Sequence, residues 1–333
     1  MTAQCEVCFR QCRLEERQTG FCGARENRGG MIIPKSYGQL TAIALDPIEK
    51  KPLARFFPGS MILSVGSYGC SMACPFCQNH EIARPAGIGS AGGAAGGSAA
   101  GRSAAGGSIA GRHGAAGGNR AAGGSIAGRS AAGGNDNEGI PPTQYVSPEE
   151  LALAAARLKR QGNIGVAYTY NEMTTAYEYI RDTAKLVRAQ SMKNVLVTNG
   201  NVRAEVLKTF LPYIDAMNVD LKCFSEKAYR EVLSGDLPTV KEFIRLAAEA
   251  EHCHVELTTL IVPGMNDAEE EMREACRWIA SLAGGAGREI PLHVTRFFPR
   301  FRMSGGRPTP VRTVYRLADV ARETLEYVYS GNC

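Results

Sequence analysis

Residues Ser64–Arg84 read SVGSYGCSMACPFCQNHEIAR, with Cys70, Cys74 and Cys77 in a C-x3-C-x2-C array directly after Met61–Gly66, an apolar run of strand length. Iron–sulfur clusters are held by cysteine thiolates, and spacings this short let one loop wrap three corners of a cubane. Three ligands leave the fourth iron of a [4Fe–4S] cluster open. Structural zinc wants four closed ligands in paired short spacings, and this triplet has no evident fourth. Gly66 and Gly69 suit the tight backbone turns that a loop around a cluster needs.

Outward from the triplet, strand-like apolar runs alternate with amphipathic helical stretches, the pattern of repeated βα units and a parallel sheet. Strands are predicted over Met61–Gly66, Gly165–Tyr170, Asn194–Thr198, Ala216–Leu221, Val255–Val262 and Leu292–Phe297. Helices are predicted over Pro148–Gln161, Thr174–Gln190, Arg203–Phe210, Pro238–Glu251, Asp267–Leu282 and Thr313–Tyr329. Ser147, Pro148 and Glu150 form a capping box with proline at the first helical position. Six strands alternating with six helices make an α/β fold, a partial (β/α)6 TIM-like barrel rather than a full eightfold one. The cysteine loop then follows the first barrel strand, on the face where such sheets do their chemistry.

The barrel, 36–85 and 141–330, is interrupted by a segment that collapses into Gly, Ala and Ser with near-repeats such as AAGGSIAGRH and AAGGSIAGRS. With almost no bulky apolar side chains it gains too little from burial to offset the entropy of ordering, so 86–140 is read as a flexible insertion. A docking arm whose arginines meet an acidic partner is the alternative. Arg102, Arg112, Arg120 and Arg129 lie between Ala86 and Asn135, where there are no acids, and without them the chain's net charge of +5 falls to about +1. That is too little for a nucleic-acid footprint.

The hydrophobic fraction of 44% in 333 residues suits a sizeable folded core. The start, MTAQCEVCFRQC, has no basic patch followed by an apolar run, and no stretch approaches the roughly 20 apolar residues that cross a bilayer. A cytoplasmic protein with no membrane or nucleic-acid partner is expected. Eleven cysteines are an odd number, unsuited to complete pairing within one chain, and point to metal or redox chemistry.

Cys5, Cys8, Cys12 and Cys22 form C-x2-C-x3-C-x9-C in a small Cys-rich amino-terminal segment, 1–35. Four thiolates close either a zinc site or a second iron–sulfur cluster, and ligand count does not separate the two; four unligated thiols are the third option. A second cluster would relay electrons, whereas zinc would only hold the segment against the barrel. His252, Cys253 and His254 have metal-ligand chemistry but open a strand, where alternate side chains point apart, and are read as structural.

If the barrel reading holds, functional groups should recur at the carboxyl ends of the later strands. Those ends read YTYNEMT, VTNGN, NVDLK, TTLIVPGMND and HVTRFFPR. With Phe76 before the last cysteine, the triplet has the C-x3-C-x-φ-C form and resembles the signature of the radical S-adenosylmethionine (SAM) superfamily. The ordered set DPIEKKPL (46–53), FFPGS (56–60), YTYNE, VTNG, DLK, VPGMND and TRFFP resembles the radical SAM enzymes of the AmmeMemoRadiSam system, which are similar to pyruvate formate-lyase activating enzymes. The resemblance covers nearly all of the chain outside the insertion, including the amino-terminal cysteines.

The resemblance implies a [4Fe–4S] cluster on Cys70, Cys74 and Cys77 whose open iron SAM chelates through its amino and carboxylate groups. It places Asn171 and Glu172 in the segment that binds the SAM amino group, with Glu172 the stronger candidate. It places Thr198 and Asn199 near the ribose, Asp220 and Lys222 where a lysine pairs with the methionine carboxylate, and His293 near the ribose hydroxyls. The chemistry suits these roles, since an ammonium seeks a carboxylate, a carboxylate seeks a lysine, and hydroxyls seek two-sided hydrogen-bonding groups. The chain departs from the pattern at Met173, Ala54, Arg55 and Phe57, and Cys223 stands where a glycine usually follows DLK.

The implied activity is reductive cleavage of SAM to methionine and a 5′-deoxyadenosyl radical, which abstracts hydrogen from a substrate. No catalytic residue is expected beyond the cluster and SAM, since the cofactor supplies the difficult chemistry. An electron donor such as flavodoxin or ferredoxin is implied. The substrate is open between a backbone glycine of a partner enzyme, as in a glycyl radical enzyme activase, and action with Memo-like and AMMECR-like proteins. A non-catalytic Fe–S electron carrier or sensor, needing the cluster but not the strand-end residues, is the rival from a different class.

Overall fold

The computed structural model describes residues 1–84 and 140–333, so the insertion read at 86–140 lies, but for its last residue, outside the described residues. Eight strands form one sheet: β1 (Ala42–Pro47), β2 (Met61–Gly66), β3 (Asn163–Tyr168), β4 (Lys193–Thr198), β5 (Ala216–Asp220), β6 (His254–Ile261), β7 (Leu292–Arg296) and β8 (Val328–Gly331). They lie side by side in chain order. Every neighbouring pair is parallel except β1 and β2, which pair antiparallel. The six expected strands are thus present in their expected order, and the mostly parallel α/β sheet matches the partial barrel of the sequence reading. The two edge strands are additions.

Both additions have local causes. Residues 42–60 carry prolines at 47, 52 and 58, a pattern that reads as turn rather than strand, and β1 takes an edge where proline is tolerated. The helix expected over Thr313–Tyr329 ends at Arg322, and Val328–Gly331 pairs with β7. Tyr170, expected inside the second barrel strand, adopts φ +67° and leaves it. Such a backbone is uncommon for a residue with a side chain.

Helices α1 (Pro148–Arg157), α2 (Tyr177–Ala189), α3 (Ala204–Phe210), α4 (Glu226–Glu231), α5 (Leu237–Ala248), α6 (Glu269–Ala280) and α7 (Val311–Arg322) follow or separate the strands. The Ser147 capping box is formed, with Glu150 answering it and Pro148 in the first turn. On α2 the buried residues are Tyr179, Ile180, Thr183, Ala184 and Val187, one stripe at helical spacing. Strand residues alternate between two cores, as the period-two geometry of a strand requires. Leu63, Val166, Leu196 and Met217 join the helix-side core, while Ile62, Ala167, Val195 and Ala216 pack on the other face against Ile48, Leu53 and Phe56. The segment between β1 and β2 therefore covers the sheet face away from the helices. Ile48 and Leu53 are fully enclosed there, which contributes about 1.5–3 kcal/mol each.

The DPIEKKPL motif gains a structural reason from this packing. Asp46 accepts hydrogen bonds from Lys51 at 2.9 Å, Lys50 at 3.2 Å and the Tyr170 hydroxyl at 2.6 Å. These bonds join β1 to the segment after β3. Among the described residues no helix is long and apolar enough to cross a membrane.

Candidate functional site

Beyond β2 the chain makes the cysteine loop and a single helical turn, His80–Ala83. Gly66 packs so closely on Tyr170 that a Cβ would stand 2.8 Å from that side chain, and Gly69 holds φ +95°. The loop is tied down on several sides: Gly69 N–H donates to Ile82 O, Ala73 N–H to Leu233 O, and Arg302 N–H to Pro75 O. Asn171 braces it further, accepting from Ser67 N–H at 2.8 Å and donating to Gly69 O at 3.0 Å. Its amide is therefore engaged by the loop, which gives Asn171 a bracing role.

Burial pushes the Cys70 thiol far up, and the nearby Glu172 carboxylate and Cys74 add to that. Burial raises Cys74 to about 11 although Lys222 opposes it, and burial raises Cys77 as well. Cys70 feels the charges of Cys74 and Cys77, and Cys74 that of Cys77, as expected of groups sharing one site. The Cys70 sulfur already faces two nitrogen donors, Met72 N–H at 3.4 Å and Asn199 Nδ2 at 3.5 Å. A half-buried sulfur facing two N–H donors is an environment for a metal-bound thiolate.

Glu172 sits 3% exposed at the end of β3. Its Oε1 accepts the hydroxyls of Thr174 at 2.5 Å and Thr198 at 2.8 Å, and its Oε2 accepts Asn199 N–H at 2.7 Å. Burial raises the carboxyl, and the Asn199, Thr174 and Thr198 bonds only partly reverse it. A cationic partner would complete this site. Asn199 links the carboxylate to the cluster loop, since its side chain donates to Cys70 Sγ and to Ser71 Oγ at 3.4 Å. The structure thus brings Cys70, Glu172, Thr198 and Asn199 together.

Lys222 Nζ pairs with Asp220 Oδ2 at 2.9 Å, and burial, which lowers the ammonium, is outweighed by Asp220 and Cys74, which raise it. The lysine therefore stays charged beside Cys74 and Cys77. Its backbone is locked by Tyr229, whose hydroxyl accepts Lys222 N–H at 3.1 Å, and by Asn266, whose amide donates to Lys222 O at 2.7 Å. Cys223 is buried and burial raises its thiol to about 11, so it is an inert neighbour of this lysine.

His293 stands in register with Thr258 and, through it, with Asp220. It is the second residue of β7, stacks on Tyr329, and bonds Glu256 Oε2 at 2.6 Å. Glu256 also accepts His254 at 2.9 Å and the N–H groups of Ala54 and Arg55 at 2.9 and 2.8 Å. Burial would raise this carboxyl, but those four bonds hold it near 2. The His293 ring is thus tied into the packing of the segment between β1 and β2. His252 bonds Leu211 O and His254 bonds Glu256, so these two histidines point to different partners.

Residues missed by the sequence reading support the same region. Asn266, inside VPGMND, also holds Leu260 O and Val262 N–H. Asn201, fully buried in VTNGN, accepts Asp236 N–H and donates to Met72 Sδ. Buried asparagines in glycine-rich strand-end motifs were the available signal, because a buried amide must find partners.

The amino-terminal cysteines gather on a second site. Cys5, Cys8, Cys12 and Cys22 line one pocket together with Arg10, Arg25 and Ser71. Cys5 N–H donates to Cys12 O, and Cys8 pairs with Val202 in an isolated bridge beside the VTNGN segment. Burial raises the Cys8 thiol to about 12 and the Cys22 thiol to about 11, with Cys5 and Cys12 adding to both. All eleven cysteines are free thiols.

Residues 64–276 match the family model described as the radical SAM superfamily. The chain is 32% identical, over 99% of its length and 81% of the relative's, to the uncharacterized protein MJ0808 of Methanocaldococcus jannaschii. A domain of pyruvate-formate lyase-activating enzyme from Bacteroides vulgatus aligns with 50% of this chain and 99% of its own, at 16% identity and TM-score 0.43. Streptococcus suis SuiB bound to S-adenosylmethionine aligns with 57% of this chain and 44% of its own, at 11% identity and TM-score 0.46. On the matched model, carried by the strand order and the three-cysteine loop, this chain belongs to the radical SAM superfamily.

Proposed function

We propose that this protein is an enzyme that cleaves SAM reductively at Cys70, Cys74 and Cys77 and uses the resulting radical to abstract hydrogen from a substrate. Those three thiols would hold a [4Fe–4S] cluster, which when bound would supply the electron for cleavage of SAM to methionine and a 5′-deoxyadenosyl radical. The observation that carries the reading is the Glu172–Asn199–Cys70 link, which sets a buried carboxylate directly beside a cluster thiol.

In this reading the chain's own residues orient and shield. Glu172 takes the SAM ammonium on the lone pairs that Thr174, Thr198 and Asn199 leave open. Lys222 takes the SAM carboxylate while remaining paired with Asp220. Thr198 and Asn199 set the position of Glu172, and through it the bound methionine moiety, while Asn171 and Asn266 hold the loop ends that carry these groups. The three thiols are half-buried, and the buried Met72 and Phe76 of the same loop shield them from water on one side.

A one-electron donor of the flavodoxin or ferredoxin class, a reducing cytoplasmic setting and a place among the AmmeMemoRadiSam enzymes belong to the same proposal. The eleven free thiols support the reducing setting. The ordered motifs from DPIEKKPL to TRFFP support the narrower group. Electron paramagnetic resonance of the anaerobically reduced protein tests the reading. Added SAM should change the cluster signal in the wild type and bring no such change in a variant with Cys70, Cys74 and Cys77 replaced by alanine. A wild-type signal indifferent to SAM would refute it.

A further inference from the structure

We propose that Cys5, Cys8, Cys12 and Cys22 hold a second iron–sulfur cluster that passes electrons to the cluster on Cys70, Cys74 and Cys77. The four residues are spread over an irregular segment of 18 residues, Cys5 to Cys22, yet line a single pocket. Four thiolates satisfy an iron–sulfur cluster. The direct contact of this pocket with the Cys70 loop favours a redox-active iron–sulfur cluster over a zinc ion, which carries no electrons.

Position supplies the role. The Cys70 N–H donates to the Cys22 carbonyl at 3.2 Å, so a ligand residue of one site is hydrogen-bonded to a ligand residue of the other. Arg10 bridges the same gap. It donates to Ser71 O at 2.9 Å, lies 3.4 Å from the centre of the Phe21 ring, and feels the charges of Cys8, Cys12 and Cys70. Arg25 approaches from the other side, bound to Glu178 by two bonds of 2.8 and 2.9 Å and to Thr175 O at 3.0 Å. A cluster held by four thiolates carries net negative charge, and two guanidinium groups already face the pocket to meet it.

The transfer is balanced as one electron. A donor protein of the ferredoxin or flavodoxin class reduces the amino-terminal cluster, which is reoxidised as it reduces the cluster at Cys70; no bond forms or breaks. This relay rests on the proposed SAM cleavage, whereas the identity of the metal does not.

Iron, sulfide and zinc are measured on anaerobically purified full-length protein with Cys70, Cys74 and Cys77 replaced by alanine. Retention of about two or four irons per chain with equal sulfide is expected. Retained zinc, or no metal in a folded protein, would overturn the site. Mössbauer spectra of the wild type check the same point without a substitution. They should contain an iron population that SAM leaves untouched, and a spectrum that responds to SAM in full would also overturn it. For the relay, the Cys12→Ser variant is compared with wild type for 5′-deoxyadenosine formed with a flavodoxin-class donor and with dithionite. The donor-to-dithionite ratio should fall at least about tenfold. Equal loss with both reductants would overturn the relay, and no product from any reductant in the wild type would instead count against the proposed SAM cleavage.

Discussion

Cys70 donates its backbone N–H to the Cys22 carbonyl at 3.2 Å, and the glycine between this bond and β2 permits that approach. At Gly69 a Cβ would stand 2.6 Å from the same carbonyl and 2.8 Å from the Ala24 Cβ, at φ +95°. Gly69→Ala is expected to destabilise the fold by about 1–3 kcal/mol and to lower iron retention, because the amino-terminal segment must move off the cluster loop. Thermal unfolding and iron analysis on the same preparation check this; unchanged values for both would contradict the close approach.

Glu172→Gln separates architecture from ligand binding. The Thr174 and Thr198 hydroxyls can rotate to suit an amide, while the remaining amide oxygen still accepts Asn199 N–H, so stability should change by less than about 1 kcal/mol. The ammonium of SAM loses its carboxylate, and its affinity should fall by about tenfold or more. Calorimetric titration with SAM reads the affinity and thermal unfolding the stability.

At Lys222 the expected loss is again in SAM affinity. Lys222→Met leaves Asp220 unpaired beside the cysteine loop and removes the cation for the SAM carboxylate, so half-saturation should require about tenfold more SAM. Lys222→Arg should restore part of the loss by keeping the charge. If the methionine and arginine variants bind SAM as the wild type does, Lys222 serves only Asp220.

The order of the six central strands was legible in the sequence because each apolar run is bounded by polar strand-end motifs, as at VTNGN and NVDLK. The cysteine loop was legible because its ligands are close in sequence. β1 was hidden by the prolines around it, and β8 by a helical pattern that ran on past Arg322. The partner of His293 was not legible, since Glu256 sits on a different strand and carries no local motif. Likewise, no spacing rule could have shown that Cys22 touches Cys70, a contact made only by the folding of two separate loops.

Glu256 gives a pH dependence of definite sign. Its carboxyl is held near 2, below the ordinary 4.5, by His254, His293 and the N–H groups of Ala54 and Arg55 against the cost of burial. A depressed carboxyl contributes stability that is full above the ordinary value and is lost as pH falls through the folded one. Glu256→Gln should therefore cost about 1–3 kcal/mol at neutral pH, with the difference from wild type shrinking from about pH 5 downward. Urea denaturation of both proteins across that range measures it, and a constant difference would contradict the assignment.

The most direct test of SAM cleavage at Cys70, Cys74 and Cys77 is the product itself. Anaerobically reconstituted protein is incubated with SAM and dithionite, and 5′-deoxyadenosine and methionine are quantified together. Equal amounts of both are expected from the wild type and neither from Cys74→Ala. An intact, reducible cluster that yields no 5′-deoxyadenosine would contradict the assignment.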